Sequence, residues 1–217
     1  MLTFASVDSI ENNLSECLKK SSASFETINC TQKASTNCIA ELSSITITKK
    51  ELKNNYLLWN NYKNSVTTAI LPHLNEAIGT MYHEFASSTI YEINKNRLII
   101  TNYLNNNTNY KRERYISKTL ENCLNSKTDP TKCYSIESSK YKSEINSSLK
   151  YLQQNLSSKD YNALTKNQSD WEKYAQSTTA LSANLNNLKK SQITKILLEE
   201  RNSQLYLLRL CTENNKP

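Results

Sequence analysis

Between residues 145 and 156 the apolar positions Ile145, Leu149, Leu152 and Leu156 recur at steps of four, three and four, the period of one helical face. Ser157 and Ser158 interrupt the run, and Ser157-x-x-Asp160 has the form of a helix N-cap. A second stripe follows, with Tyr161, Leu164, Gln168, Trp171 and Ala175 on one face. From there to Leu210 no glycine or proline intervenes. One helix of that length would run about 75 Å, too long for a compact bundle. A break is therefore expected between Ser182 and Ser191, near Asn186 and Asn187. In the first half the helix after Trp59 should be disturbed at Pro72 and again near Gly79.

The pattern occurs twice. SIENNLSECLKK carries Cys17 and Leu18, and YISKTLENCLNS carries Cys123 and Leu124. Each is followed by a short polar segment and another cysteine, Cys30 and Cys133. Each copy then has a helical stretch with W-x-x-Y, as Trp59 with Tyr62 and Trp171 with Tyr174. Each closes on an arginine in an apolar helix, Arg97 or Arg201. The chain thus reads as two tandem units, 8–104 and 114–211, joined by an Asn-rich linker at 105–113. Each unit is expected to be a short helix, a disulfide-stapled turn and an antiparallel bundle, three to four helices in all. Lys111, Arg112 and Arg114 form a basic cluster by the linker that reads as a solvated helix start.

Composition sharpens this into an all-α fold. Glycine occurs once and proline three times, too few for the turns of a β-rich or α/β protein. Neither a P-loop nor a dinucleotide-binding glycine pattern occurs. Only 37% of residues are hydrophobic, so the core must be thin and staples are expected. Six cysteines supply candidates, none in C-x-x-C spacing, and with two histidines a zinc site fits poorly. Widely spaced, even-numbered cysteines argue for disulfides and a periplasmic or secreted location. Repeat equivalence pairs Cys17 with Cys30 and Cys123 with Cys133, and leaves Cys38 and Cys211 to join each other. The alternative pairs Cys17 with Cys38 and Cys30 with Cys211. No run of 18 apolar residues exists, so no membrane span is expected. The opening MLTFASVDS is too short for a signal peptide, although Thr3-Phe4-Ala5 resembles the end of a cleavage site.

The second half resembles the lysozyme inhibitor LprI-like domain, a bacterial envelope family. The residues that carry the likeness are Cys123 and Cys133, then Glu144-Ile145-Asn146, then Leu164, Gln168, Trp171 and Tyr174, and finally Arg201 with Leu205. The first half keeps Cys17, Cys30, Trp59, Tyr62, a Gly79-Thr80-Met81 segment and Arg97, with Asn55 or Tyr56 where the glutamine would stand. Lys63 and Ala175 follow the aromatics where the family commonly has arginine. The resemblance implies a protein that binds lysozyme and blocks its cleft sterically.

Physically, Gln168, Trp171 and Tyr174 lie on adjacent turns of one face. Trp171 supplies apolar area, and Arg201 is placed to reach the cluster from the closing helix and stack on the ring. The motif, with Trp59, Tyr62 and Arg97 as its counterparts, reads as a core and lock rather than a binding site.

No catalytic constellation is present, and no cofactor or metal is implied. His73, His83, Glu76 and Glu84 lack metalloenzyme spacing and read as solvated surface. A non-enzyme is expected. The net charge of +7 opposes association with a basic lysozyme unless acidic residues, for instance Glu137, Glu144, Glu199 and Glu200, converge locally. The alternative partner is an anionic envelope or host polymer. Scattered basic residues and disulfides argue against nucleic acid.

Overall fold

A computed structural model of the chain describes residues 6–45, 50–76, 80–105 and 117–214. They form nine α-helices and no strand: α1 (Val7–Lys20), α2 (Ser24–Ser44), α3 (Lys50–Ala69), α4 (Leu71–Glu76), α5 (Thr80–Leu104), α6 (Lys118–Asn125), α7 (Pro130–Asn155), α8 (Ser158–Leu181) and α9 (Asn187–Asn214). The protein is all-α.

Local chemistry sets the boundaries. Ser157 caps α8, its Oγ accepting from the Asp160 amide at 3.2 Å while donating to the Asp160 carboxylate. Asp129 caps α7 and Pro130 opens it, where the missing N–H costs nothing. Lys127 takes φ 60° in the turn before α7, a left-handed conformation that glycine usually fills. After α8 a short 3-10 turn, Ser182–Asn184, breaks the chain, and Asn186 Oδ1 accepts from the Lys189 amide at 2.9 Å to start α9. The expected break therefore lies between Ser182 and Asn187. Near Pro72 the chain breaks between Ala69 and Leu71. Gly79, and the linker beyond Asn105, lie outside the described residues.

Two seams are parallel. Asn94 Nδ2 donates to Ser35 Oγ and Ser87 Oγ to the Ile28 carbonyl, both across 59 residues, so α2 and α5 run side by side in one direction. Tyr134 with Gln192, Tyr141 with Glu199, and Glu144 with Asn202 all pair across 58 residues, and α7 and α9 do the same. The disulfides Cys17–Cys30 and Cys123–Cys133 then bind α1 to α2 and α6 to α7.

The expected antiparallel bundle within each half is not what forms. The middle helices α3 and α8 pack against each other across the two halves, antiparallel, with Asn55 beside Ser177 and Ser65 beside Asn167. The cause lies in their faces. Trp59, Tyr62 and Val66 on α3 and Leu164, Trp171 and Tyr174 on α8 are all buried. A parallel pair such as α2 and α5 needs a crossover, which α3 and α4 provide. Most of the buried apolar residues of both halves join in one continuous core, with a small satellite of Leu120, Cys133 and Tyr134 under the second disulfide.

The third disulfide is also corrected. Cys38 and Cys211 are buried free thiols. Cys38 belongs to α2, whose main neighbours are α5 and α1, whereas Cys211 belongs to α9, which packs chiefly on α7 and α5. Helices α2 and α9 are not among each other's main neighbours, and a bridge needs Cα atoms within about 7 Å. Burial pushes the Cys38 thiol up to about 12 and raises that of Cys211, so neither is a reactive thiolate.

Candidate functional site: an arginine-locked seam and a carboxylate-lined cleft

Four residues before each tryptophan stands an asparagine, and three after each tyrosine a serine, so that both halves read N-x-x-x-W-x-x-Y-x-x-S. The eight side chains meet at the α3–α8 seam. Asn55 Nδ2 donates to Ser177 Oγ and Thr178 Oγ1, each at 3.0 Å, and Asn167 Nδ2 donates to Ser65 Oγ at 2.9 Å. Arg97 donates through Nη1 to Asn55 Oδ1, and Arg201 through Nη1 to Asn167 Oδ1 at 2.6 Å. The rings of Tyr62 and Tyr174 stack between the halves with centroids 5.8 Å apart.

Both guanidiniums are almost wholly buried, 1% exposed for Arg97 and 0% for Arg201. Arg201 also donates from Nε to Gln168 Oε1 at 2.8 Å, the contact the motif spacing anticipates. The arginine–ring contacts of the seam belong to Arg97 and do not include Trp171. Arg97 stands 5.7–5.8 Å from the ring centres of Tyr56, Trp59 and Tyr174. Lys63 covers Trp59 at 4.6 Å, from the position where the resembled family has arginine. Trp59 and Trp171 are core, and their indole N–H groups find no partner among the described residues. The asparagines, serines and arginines of the seam bond one another across the two halves, and the tryptophans and tyrosines named from the sequence are buried there.

The surface feature with binding chemistry lies between α1, α5 and α9. A cavity of about 320 Å³ has apolar walls that include Phe85, Ile99, Ile196 and Leu207. Glu11, Glu92, Glu199 and Glu200 line it, against two cations, Lys95 and Lys195. Lys95 Nζ lies 2.7 Å from Glu92 and 3.6 Å from Glu11, and Lys195 Nζ lies 2.8 Å from Glu199. Burial pushes the Glu200 carboxyl up to about 8, while hydrogen bonds from Asn96 and Tyr62 pull it down. Four glutamates thus share the cleft with two lysines, and burial raises the Glu200 carboxyl among them.

Of the four glutamates named as examples of a local acidic patch, Glu199 and Glu200 line the cleft. Glu144 instead accepts from Asn202 across the α7–α9 seam, and Glu137 is buried on α7. Glu11 and Glu92 were missed, because only packing brings α1 to α5. His73 Nε2 stands 4.0 Å from Asp160, and no cluster fit for a metal occurs among the described residues. No helix among them is long and apolar enough to cross a membrane. The chain matches no family model, no curated protein and no solved structure.

Proposed function

We propose that the protein is an extracytoplasmic binding protein whose α1–α5–α9 cleft receives a cationic side chain of a partner, and that the partner is a lysozyme. The observation that carries this reading is the excess of carboxylates over cations inside an otherwise basic molecule. Apolar walls suit the methylene stem of lysine or arginine, and the carboxylates suit its charged head. Lysozyme enters through the likeness of the second half to the lysozyme inhibitor LprI-like family. The two disulfides are compatible with a periplasmic or secreted setting. We further propose that the chain is an internal duplication, supported by the reciprocal Asn–Ser and Arg–Asn bonds that the two halves make.

A second reading has its own observation. Lys132, Lys140, Lys142 and Lys150 are exposed on α7, and such a surface suits an anionic envelope or host polymer. Glu92→Gln separates the two. The Glu92 side chain is 47% exposed and Lys95 keeps Glu11, so the fold should survive. Lysozyme binding, measured by calorimetry, should weaken about fivefold, worth ~1 kcal/mol for a partly shielded charge pair. Unchanged lysozyme affinity in Glu92→Gln, or binding only to an anionic glycan, contradicts the cleft reading.

A further inference from the structure

Glu200 sits where α3, α5 and α9 meet, with 7% of its surface exposed. Its Oε1 lies 2.9 Å from the Tyr62 hydroxyl, and its Oε2 accepts from Asn96 Nδ2 at 2.9 Å. The Tyr62 hydroxyl also lies 2.6 Å from Gln204 Nε2 and 2.9 Å from Gln204 Oε1. Gln204 Oε1 lies 3.3 Å from Arg201 Nη1, which donates to Asn167, and Asn167 donates to Ser65. Ser65 closes the loop on the Tyr62 carbonyl at 2.9 Å. One chain of hydrogen bonds thus links the carboxyl to the α3–α8 seam.

A phenolic hydroxyl carries one proton, so it cannot donate to Glu200 and Gln204 at once. When Glu200 is ionised, Tyr62 donates to it and accepts from Gln204 Nε2. When Glu200 is protonated, the acid donates to Tyr62 Oη, and Tyr62 donates onward to Gln204 Oε1. Both arrangements use the same heavy-atom positions. The charge left by ionisation differs sharply, because it sits in the core.

The charged and titratable groups around Glu200 do not cancel that charge directly. On α5, Lys95 is held by Glu92 and Glu11, and Arg97 by Asn55. On α9, Lys195 is paired with Glu199, and Arg201 gives its Nε and Nη1 hydrogens to Gln168, Asn167 and Gln204. On α3 and α8 the facing groups are the phenols Tyr62 and Tyr174, both raised by burial. Arg201 and the donors Asn96 and Tyr62 favour the carboxylate, whereas burial and nearby Glu92 oppose it.

We propose that Glu200 and Tyr62 form a proton-operated switch at the junction of α3, α5 and α9: the protonated acid keeps the junction closed, and its ionisation loosens α3 against α9. The sign follows from linkage. A carboxyl that titrates near 8 in the folded chain, against 4.5 when free, binds more protons in the folded state. Stability is then fully present below about pH 4.5 and is lost as pH rises through about 8, by up to tenfold in the folding constant per pH unit.

Urea unfolding of the disulfide-intact full chain at pH 5, 6, 7 and 8 tests this against Glu200→Gln, which mimics the neutral acid. The wild-type folding constant should fall relative to the variant as pH rises, with the two close together at pH 5. Amide exchange in α3, corrected for the intrinsic pH effect, should quicken at pH 8 in the wild type alone. Parallel pH profiles would overturn the switch. Should the glutamine variant fail to fold, the carboxyl-carbon NMR titration of wild-type Glu200 decides: a midpoint well above the ordinary carboxyl range upholds the proposal, and one near 4.5 overturns it.

Discussion

Asn55 and Asn167 occupy matching places in the two halves, yet their loss should not cost the same. Asn55 accepts from Arg97 and donates to Ser177 and Thr178. Arg97 also bonds the Tyr174 hydroxyl, while its Nε and Nη2 are buried without partners among the described residues. Asn55→Ala thus removes one charged hydrogen bond and two neutral ones, and leaves a buried guanidinium held only by the Tyr174 hydroxyl and ring faces. A charged bond contributes about 1.5–3 kcal/mol and a neutral one about 1, with part recovered by relaxation, so a loss of about 3–5 kcal/mol is expected. Asn167→Ala leaves Arg201 with Gln168 and Gln204, and should cost about 2–3 kcal/mol. Urea unfolding at pH 6, followed by the fluorescence of Trp59 and Trp171, gives both values if the slopes match. The pair Asn55→Leu with Arg97→Met removes the stranded charge and should be more stable than Asn55→Ala alone. Equal costs at the two asparagines, or a double variant no better than the single, would refute the lock as drawn.

Other consequences are accessible to simple assays. Trp171→Ala and Trp59→Ala should each destabilise by about 3–5 kcal/mol, with the larger loss at Trp59, which is 1% exposed and lies under Arg97 and Lys63. If Trp171→Ala left the melting temperature intact but abolished partner binding, the motif would be a contact surface and not core. Ellman titration without reductant should find no reactive thiol in the native protein and two in urea, from Cys38 and Cys211; none in urea would restore the third bridge. Replacing Cys17 and Cys30 by serine should cost about 3 kcal/mol in the chain-entropy account of a loop this short.

What the sequence displayed well was local. The Ser157 cap, the break after Leu181 and the disturbance at Pro72 each depend on a few neighbouring residues. The two bridges followed from matched cysteines. The helical stripe through Tyr161 and Ala175 was slightly misplaced, because the buried face runs Leu164, Asn167, Trp171, Tyr174 and Thr178. Asn167 and Thr178 are polar, so a hydrophobic pattern passes over them. The same blindness hid Asn55, although aligning the two W-x-x-Y stretches one turn further back exposes a shared asparagine. Pairing of α3 with α8 was not legible, since either helix could have packed inside its own half. The cleft was invisible for a similar reason: its carboxylates come from α1, α5 and α9, and nothing short of packing joins them.

The central claim is that a local acidic cleft on a basic protein engages a basic lysozyme, and its salt dependence tests that most directly. Salt screens both the repulsion between the net charges and the attraction within the cleft, over about 8–10 Å at 0.1–0.15 M. Lysozyme inhibition titrated at two ionic strengths should therefore show a shallow slope, while an anionic glycan measured in parallel should bind weakly or not at all. No inhibition at micromolar protein, together with glycan binding that falls steeply as salt rises, would contradict the account and favour the anionic-polymer reading.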